Sequence, residues 1–60
     1  MKFEIRKSNK KDEPYYWRIV AGNGNVLASS ETYVNKADAR SAAQSVKTNA
    51  GAATIVDLTQ

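Results

Sequence analysis

The sequence predicts a two-layer α+β fold, in which an antiparallel sheet is covered by one helix in the order βββαβ. Residues 1–7 alternate strictly between apolar and charged side chains, which is the period of a strand. An aromatic and β-branched run at residues 15–21 is followed by Asn-Gly, a strong hairpin signal. Apolar residues then recur at helical spacing between residues 36 and 50. With 60 residues, the chain is expected to form one small globular domain over residues 1–60.

The first strand is predicted over residues 1–7 because its two faces differ so clearly. Its apolar face consists of Met1, Phe3 and Ile5. Its charged face consists of Lys2, Glu4 and Arg6. Residues 8–14 are polar and charged and end at Pro14, the only proline, so they are predicted to form a loop. Pro14 also favours extended backbone at the preceding residue, which suits the start of another strand.

Residues 15–21 and 26–30 are predicted to form the second and third strands as a hairpin. The heavier apolar face of the second strand consists of Tyr15, Trp17, Ile19 and Ala21. The other face consists of Tyr16, Arg18 and Val20. The connecting Gly22-Asn23-Gly24-Asn25 readily adopts positive φ, so it is interpreted as a hairpin turn rather than as a phosphate-binding loop.

The helix is predicted to begin after Asn35, which acts as N-cap, with Asp38 three residues later as a capping-box acid. Its apolar stripe consists of Ala39, Ala42, Ala43, Val46 and Ala50. Asn49 or Gly51 is expected to close the helix in left-handed conformation. Since alanine offers little area, the large core side chains must come from the strands, namely Phe3, Ile5, Trp17 and Ile19. Residues 53–58 are predicted to form a fourth strand.

The absence of histidine and cysteine excludes whole classes of chemistry. Disulfides, thiolate metal sites and Ser-His or Cys-His nucleophile pairs are all excluded. The six carboxylates suggest no catalytic pair, because several have local roles in the loop or at the helix start. We therefore expect no enzyme activity, no cofactor and no metal site. No apolar run is long enough to span a membrane and the charged start is unlike a signal peptide, so a cytoplasmic location is expected.

Small size predicts self-association. A 60-residue chain buries only about 60% of its unfolded surface, and its core supplies roughly 3–5 kcal/mol. Without disulfides or a structural metal, the chain must be either an unusually well-packed monomer or associated with a second copy of itself. Of these two, a homodimer is expected.

The chain resembles the YegP-like family of small bacterial and archaeal proteins, whose biochemical role is uncharacterised. The resemblance follows the chain in order, through Met1-Lys2-Phe3-Glu4-Ile5, Trp17-Arg18, Asn23-Gly24, Leu27-Ala28-Ser29-Ser30-Glu31, Tyr33, Lys36, Ala39, Ser45-Val46-Lys47-Thr48-Asn49-Ala50 and Asp57-Leu58-Thr59. It implies βββαβ units that associate in pairs as one sheet, with exchanged C-terminal strands, and hence a homodimer for a chain of one unit. The longer charged loop at residues 8–14 and Val20, at a position often polar, depart from the family pattern. No catalytic residue follows from the resemblance.

Four residues form the predicted contact surface, because strand parity places them on the sheet face away from the helix: Lys2, Arg6, Tyr16 and Arg18. The net charge of +3 arises within residues 1–18, where six cations oppose three carboxylates. An aromatic side chain among cations on an open sheet can stack bases and contact phosphates. The simpler interpretation is an ordinary solvated sheet face with cross-strand pairs.

The function predicted from these observations is a non-enzymatic cytoplasmic homodimer that acts as an interaction module with an unknown protein partner. The alternative is a weak nucleic-acid-binding protein that uses the basic and aromatic sheet face.

Overall fold

Three antiparallel strands and one helix form the fold in a computed structural model that describes residues 1–59. The strands are β1 (Lys2–Lys7), β2 (Tyr15–Val20) and β3 (Val26–Ser29), in the spatial order β1-β2-β3. The helix α1 (Lys36–Asn49) continues into a short 3-10 helix at Ala50–Ala52. The predicted α+β class and the βββα order are confirmed.

The register of β1 and β2 gathers the large apolar side chains on one face of the sheet. Phe3 lies opposite Ile19, and Ile5 lies opposite Trp17. Directly opposed residues share a face, and the Phe3 and Trp17 rings are in contact at a centroid distance of 5.8 Å. The helix α1 covers this face, mainly over β2 and less over β1.

The helix approaches the sheet through alanines. Ala39 and Ala43 are buried, and Ala39 has no exposed surface at all. Their small side chains bring the helix backbone close to the sheet, as the apolar stripe predicts. The four large side chains of the sheet, in contrast, are only half-buried, so the core of one chain is incomplete.

The hairpin between β2 and β3 turns at the predicted glycines. The Gly24 N–H donates to the Ala21 carbonyl at 2.9 Å, and the Ala21 N–H donates to the Asn25 carbonyl at 2.8 Å. Gly24 has a φ of 91°, in the left-handed region that glycine tolerates best. A register shift follows between Ile19 and Val20, where β2 pairs with β3.

Both ends of the helix differ from the sequence prediction. Asn35 is the N-cap, but its side chain caps no backbone N–H; its Nδ2 donates to Asp38 Oδ2 at 3.3 Å. The predicted capping box is therefore wrong. The predicted left-handed closure at Asn49 or Gly51 is also wrong, because the chain tightens into the 3-10 helix with Asn49 in right-handed conformation.

The predicted fourth strand is not formed within the chain. Residues 53–59 have no strand partner among the described residues, and their apolar side chains face solvent. Ile55 is 99% exposed and Leu58 is 84% exposed. A strand exists only through pairing with a neighbour, and within residues 1–59 this segment has none.

Val20 lies on the outer face of the sheet, as predicted, since β1 pairing places it opposite Lys2. It is nevertheless buried, one of three buried hydrophobic residues among the described residues. It lies on the central strand beside the register shift, so it has neighbours on both sides.

Candidate functional site

The four predicted contact residues share one face of the sheet with a carboxylate. We call this surface the basic face and define it as Lys2, Glu4, Arg6, Tyr16 and Arg18. Strict alternation places its β1 members on the side opposite Phe3 and Ile5. The register then sets Glu4 opposite Arg18 and Arg6 opposite Tyr16. The structure thus brings the predicted residues together, as expected from parity.

Glu4 is the centre of this surface. Its Oε1 accepts hydrogen bonds from Arg18 Nε at 2.6 Å and from Arg6 Nη1 at 3.2 Å. Its Oε2 lies 3.4 Å from Lys2 Nζ. Three cations therefore share one carboxylate, and the cluster keeps a surplus of two positive charges.

The cations hold the Glu4 carboxyl in its charged form. The hydrogen bond from Arg18 is the main cause that lowers the pKa of Glu4 from 4.5 to about 2, with smaller contributions from Lys2 and Arg6. The pKa of the Arg6 guanidinium is raised, first by Tyr16 and then by Glu4. The Glu4 carboxylate therefore stays ionised at neutral pH.

The members of the basic face differ in exposure. The side chains of Glu4 and Arg18 are 21% and 28% exposed, so their pair lies partly within the sheet surface. Lys2 and Arg6 are more exposed and make longer contacts with the carboxylate. Tyr16 is half-buried beside Arg6. This arrangement can accept an anion beside an aromatic ring, in competition with Glu4.

A second surface lies on the other side of the sheet, where the helix leaves β1 uncovered. A groove of about 170 Å³ is open between the strand and the helix. We call it the β1 groove and define it by its lining residues, Phe3, Ile5, Arg40, Ala43, Gln44 and Lys47. Its floor is apolar and its helix side carries two cations. β1 is also an edge strand, with one side unpaired.

The structure offers no cluster of metal-ligating side chains among residues 1–59. No three acidic side chains in this range are grouped so that they could hold a metal ion. Two of the carboxylates are occupied by cations, Glu4 as described and Glu13 through Lys10 Nζ at 3.3 Å. No helix in the described part of the chain is long and apolar enough to cross a bilayer.

The central role of Glu4 was missed by the sequence analysis. The alternation of β1 already placed Glu4 between Lys2 and Arg6, which was the available signal. Its shortest contact, with Arg18, depends on the register between two strands separated by a seven-residue loop. That register is set by pairing between residues far apart in the sequence, so the sequence of either strand alone does not determine it.

Comparisons with known proteins agree with the predicted family. The chain is 42% identical over 57 residues to a UPF0339 protein of Treponema denticola, which covers 95% of both chains. It is 45% identical over 58 residues to a UPF0339 protein of Agrobacterium fabrum, with 97% of this chain and 90% of that protein covered. An NMR solution structure of a protein from Haloferax volcanii is 38% identical, with a TM-score of 0.76 and coverage of 93% and 92%.

The profile of a domain of unknown function, DUF1508, matches residues 10–57. Its description names no enzymatic activity. The family resemblance expected from the sequence is confirmed: the chain belongs to the DUF1508 family.

Proposed function

We propose that the protein is a non-enzymatic cytoplasmic interaction module that works as a homodimer, in which residues 53–59 of each copy pair with the other. The observation that carries this proposal is the exposure of the C-terminal segment. Three of its residues, Ile55, Val56 and Leu58, are large, apolar and between 69% and 99% exposed. This composition is typical of a β-strand, and the exposure of the segment is that of a strand without a pairing partner.

Burial of the apolar side chains of this segment is energetically favourable. Burying one aliphatic side chain contributes about 1.5–3 kcal/mol. Val56 and Leu58, which alternation places on the same face, therefore contribute about 3–6 kcal/mol, comparable with the roughly 3–5 kcal/mol that a core of this size supplies. The half-buried state of Phe3 and Trp17 shows that the sheet also has apolar area left to cover.

The β1 groove is the binding surface that fits this segment. An added strand along the free edge of β1 completes the pairing that this edge lacks. Alternation then places Val56 and Leu58 on one face and Ile55 and Asp57 on the other. With the first pair over the groove, Asp57 points toward the basic face, where the cations are in surplus. Shape and charge both support this orientation.

The decisive experiment is isotope-filtered NMR on a mixture of labelled and unlabelled chains. Contacts between the methyl groups of Val56 or Leu58 in one copy and the Phe3 ring in another are expected. Purely intramolecular contacts, or none from this segment, would contradict the exchange. A Leu58→Asp variant should lose these contacts, whereas Val34→Asp, at another exposed valine, should keep them.

A second candidate function is weak binding of single-stranded nucleic acid by the basic face. It is favoured by the placement of Lys2, Arg6, Tyr16 and Arg18 on one side of the sheet. Arginine and tyrosine together can contact phosphates and stack on bases. An NMR titration with oligonucleotides at low salt tests it. Shifts at Tyr16 and Arg18 that disappear with added salt support the function, and unchanged signals exclude it.

A further inference from the structure

The cations of the basic face are not free, because each is drawn to one internal carboxylate. Glu4 Oε1 accepts hydrogen bonds from Arg18 Nε at 2.6 Å and from Arg6 Nη1 at 3.2 Å. Lys2 Nζ approaches the other oxygen at 3.4 Å. Glu4 therefore lies at the position where the phosphate of a bound ligand would make its most favourable contacts with these three cations.

We propose that Glu4 is an internal competitor that limits the affinity of the basic face for phosphate groups of single-stranded nucleic acid. This inference rests on the second candidate function proposed above. Phosphate recognition by arginine is strongest when two N–H groups of one guanidinium bind two oxygens. Glu4 takes the Nε–H of Arg18, so a phosphate must either displace the carboxylate or bind beside its negative charge.

A single strand fits this surface better than a duplex. The face presents the Tyr16 ring next to Arg6, and unpaired bases stack on such rings. Phosphates of the same strand then fall near the two guanidiniums. The competing carboxylate stays ionised at neutral pH, since its pKa is about 2. Competition therefore acts across the physiological range and is not relieved by mild acid.

The substitution Glu4→Gln measures the competition. It keeps the shape and one hydrogen-bond acceptor but removes the charge. A unit charge about 6 Å from a bound phosphate changes the binding constant roughly threefold at the dielectric constant of water, and about tenfold at an effective dielectric constant of about 40. We expect binding to tighten by about three- to tenfold.

Asp12→Asn is the matched control, because it changes the net charge by the same amount. Asp12 is exposed in the loop of residues 8–14 and forms no ion pair among the described residues. Exposed charges in contact with solvent are weakened by salt screening. The control is therefore expected to change binding less than Glu4→Gln does.

The assay is fluorescence anisotropy with labelled oligothymidylate, on folded protein checked by circular dichroism. Tighter binding by Glu4→Gln than by Asp12→Asn supports the proposal. Equal effects show that only net charge matters and overturn it, while nucleic-acid binding stands. Weaker binding by Glu4→Gln shows that Glu4 organises the arginines, which also overturns it. No binding by any variant, wild type included, rejects the nucleic-acid function itself.

Two further measurements keep the test decisive. Poly-glutamate in place of oligothymidylate distinguishes the ligand class: if Glu4→Gln tightens the binding of poly-glutamate equally, the preference for phosphate is wrong.

If Glu4→Gln does not fold, the wild-type protein is titrated with oligothymidylate and the Arg18 Nε–H signal is followed by NMR. A shift of that signal on binding supports displacement of Glu4. An unmoved signal at saturation overturns it.

Discussion

Trp17 is the side chain whose replacement separates packing from hydrogen bonding. It packs against Phe3 on the helix-facing side of the sheet. Its indole Nε1–H is buried and has no hydrogen-bond partner among residues 1–59. Removing the whole ring in Trp17→Ala should destabilise the protein by about 3–5 kcal/mol. Since a core of this size supplies roughly the same amount, that variant is expected to be largely unfolded at room temperature.

Trp17→Phe should behave very differently. A buried donor without a partner costs about 1–3 kcal/mol, and phenylalanine removes that cost. The smaller ring loses the equivalent of about two buried carbon groups, or roughly 1.6 kcal/mol. The two effects offset each other, so Trp17→Phe is expected to lie within about 1 kcal/mol of wild type.

Urea denaturation followed by circular dichroism measures both variants, because the only tryptophan fluorophore is lost. Protein concentration is held constant, since dimerisation would make the midpoint concentration-dependent. A near-neutral Trp17→Ala would show that the ring contributes nothing to the core. A Trp17→Phe variant as unstable as Trp17→Ala would refute the argument about the unpartnered N–H.

Two further predictions concern the turn and the ion cluster. Gly24→Ala should destabilise the protein by about 1–2 kcal/mol in urea denaturation, because the φ of 91° at this position strains any side chain. Gly22 has no positive φ and has open space around it, so Gly22→Ala should be neutral or slightly stabilising. The pKa of Glu4 is lowered from 4.5 to about 2 in the folded chain, so its stabilisation is complete above pH 4.5 and is lost as the pH falls toward 2. Glu4→Gln should flatten this part of the pH–stability curve, and an unchanged slope would contradict the assignment.

Local periodicity explains which parts of the fold could be predicted. The alternation of residues 1–7 and the aromatic run at residues 15–21 gave β1, β2 and their faces. The spacing of Ala39 and Ala43 gave the helix surface that contacts the sheet. Asn23-Gly24 gave the hairpin. Each of these depends on side-chain patterns within one element, which a sequence carries directly.

Features that depend on several elements could not be predicted. The hydrogen bond between Glu4 and Arg18 needs the β1–β2 register. The register shift at Ile19 and Val20 arises where β2 pairs with β3 and involves both strands. The closure of the helix was expected to be left-handed, yet a right-handed 3-10 turn satisfies the Ala53 N–H through the Ala50 carbonyl at 3.1 Å. In each case, pairing or backbone geometry outweighed the local residue preference.

The C-terminal segment also shows the limit of pattern analysis. Residues 53–58 have the composition of a strand but no strand partner in the described part of the chain. Whether they form one depends on the neighbour that the chain meets.

The mass of the protein in solution tests the central claim of homodimerisation most directly. Size-exclusion chromatography with light scattering at micromolar concentration should give twice 6.6 kDa for the wild type and for Val34→Asp. Leu58→Asp should shift the mass toward 6.6 kDa or unfold the chain, because it places a charge in the exchanged segment. A stable wild-type mass of 6.6 kDa would contradict both the homodimer and the exchange of residues 53–59.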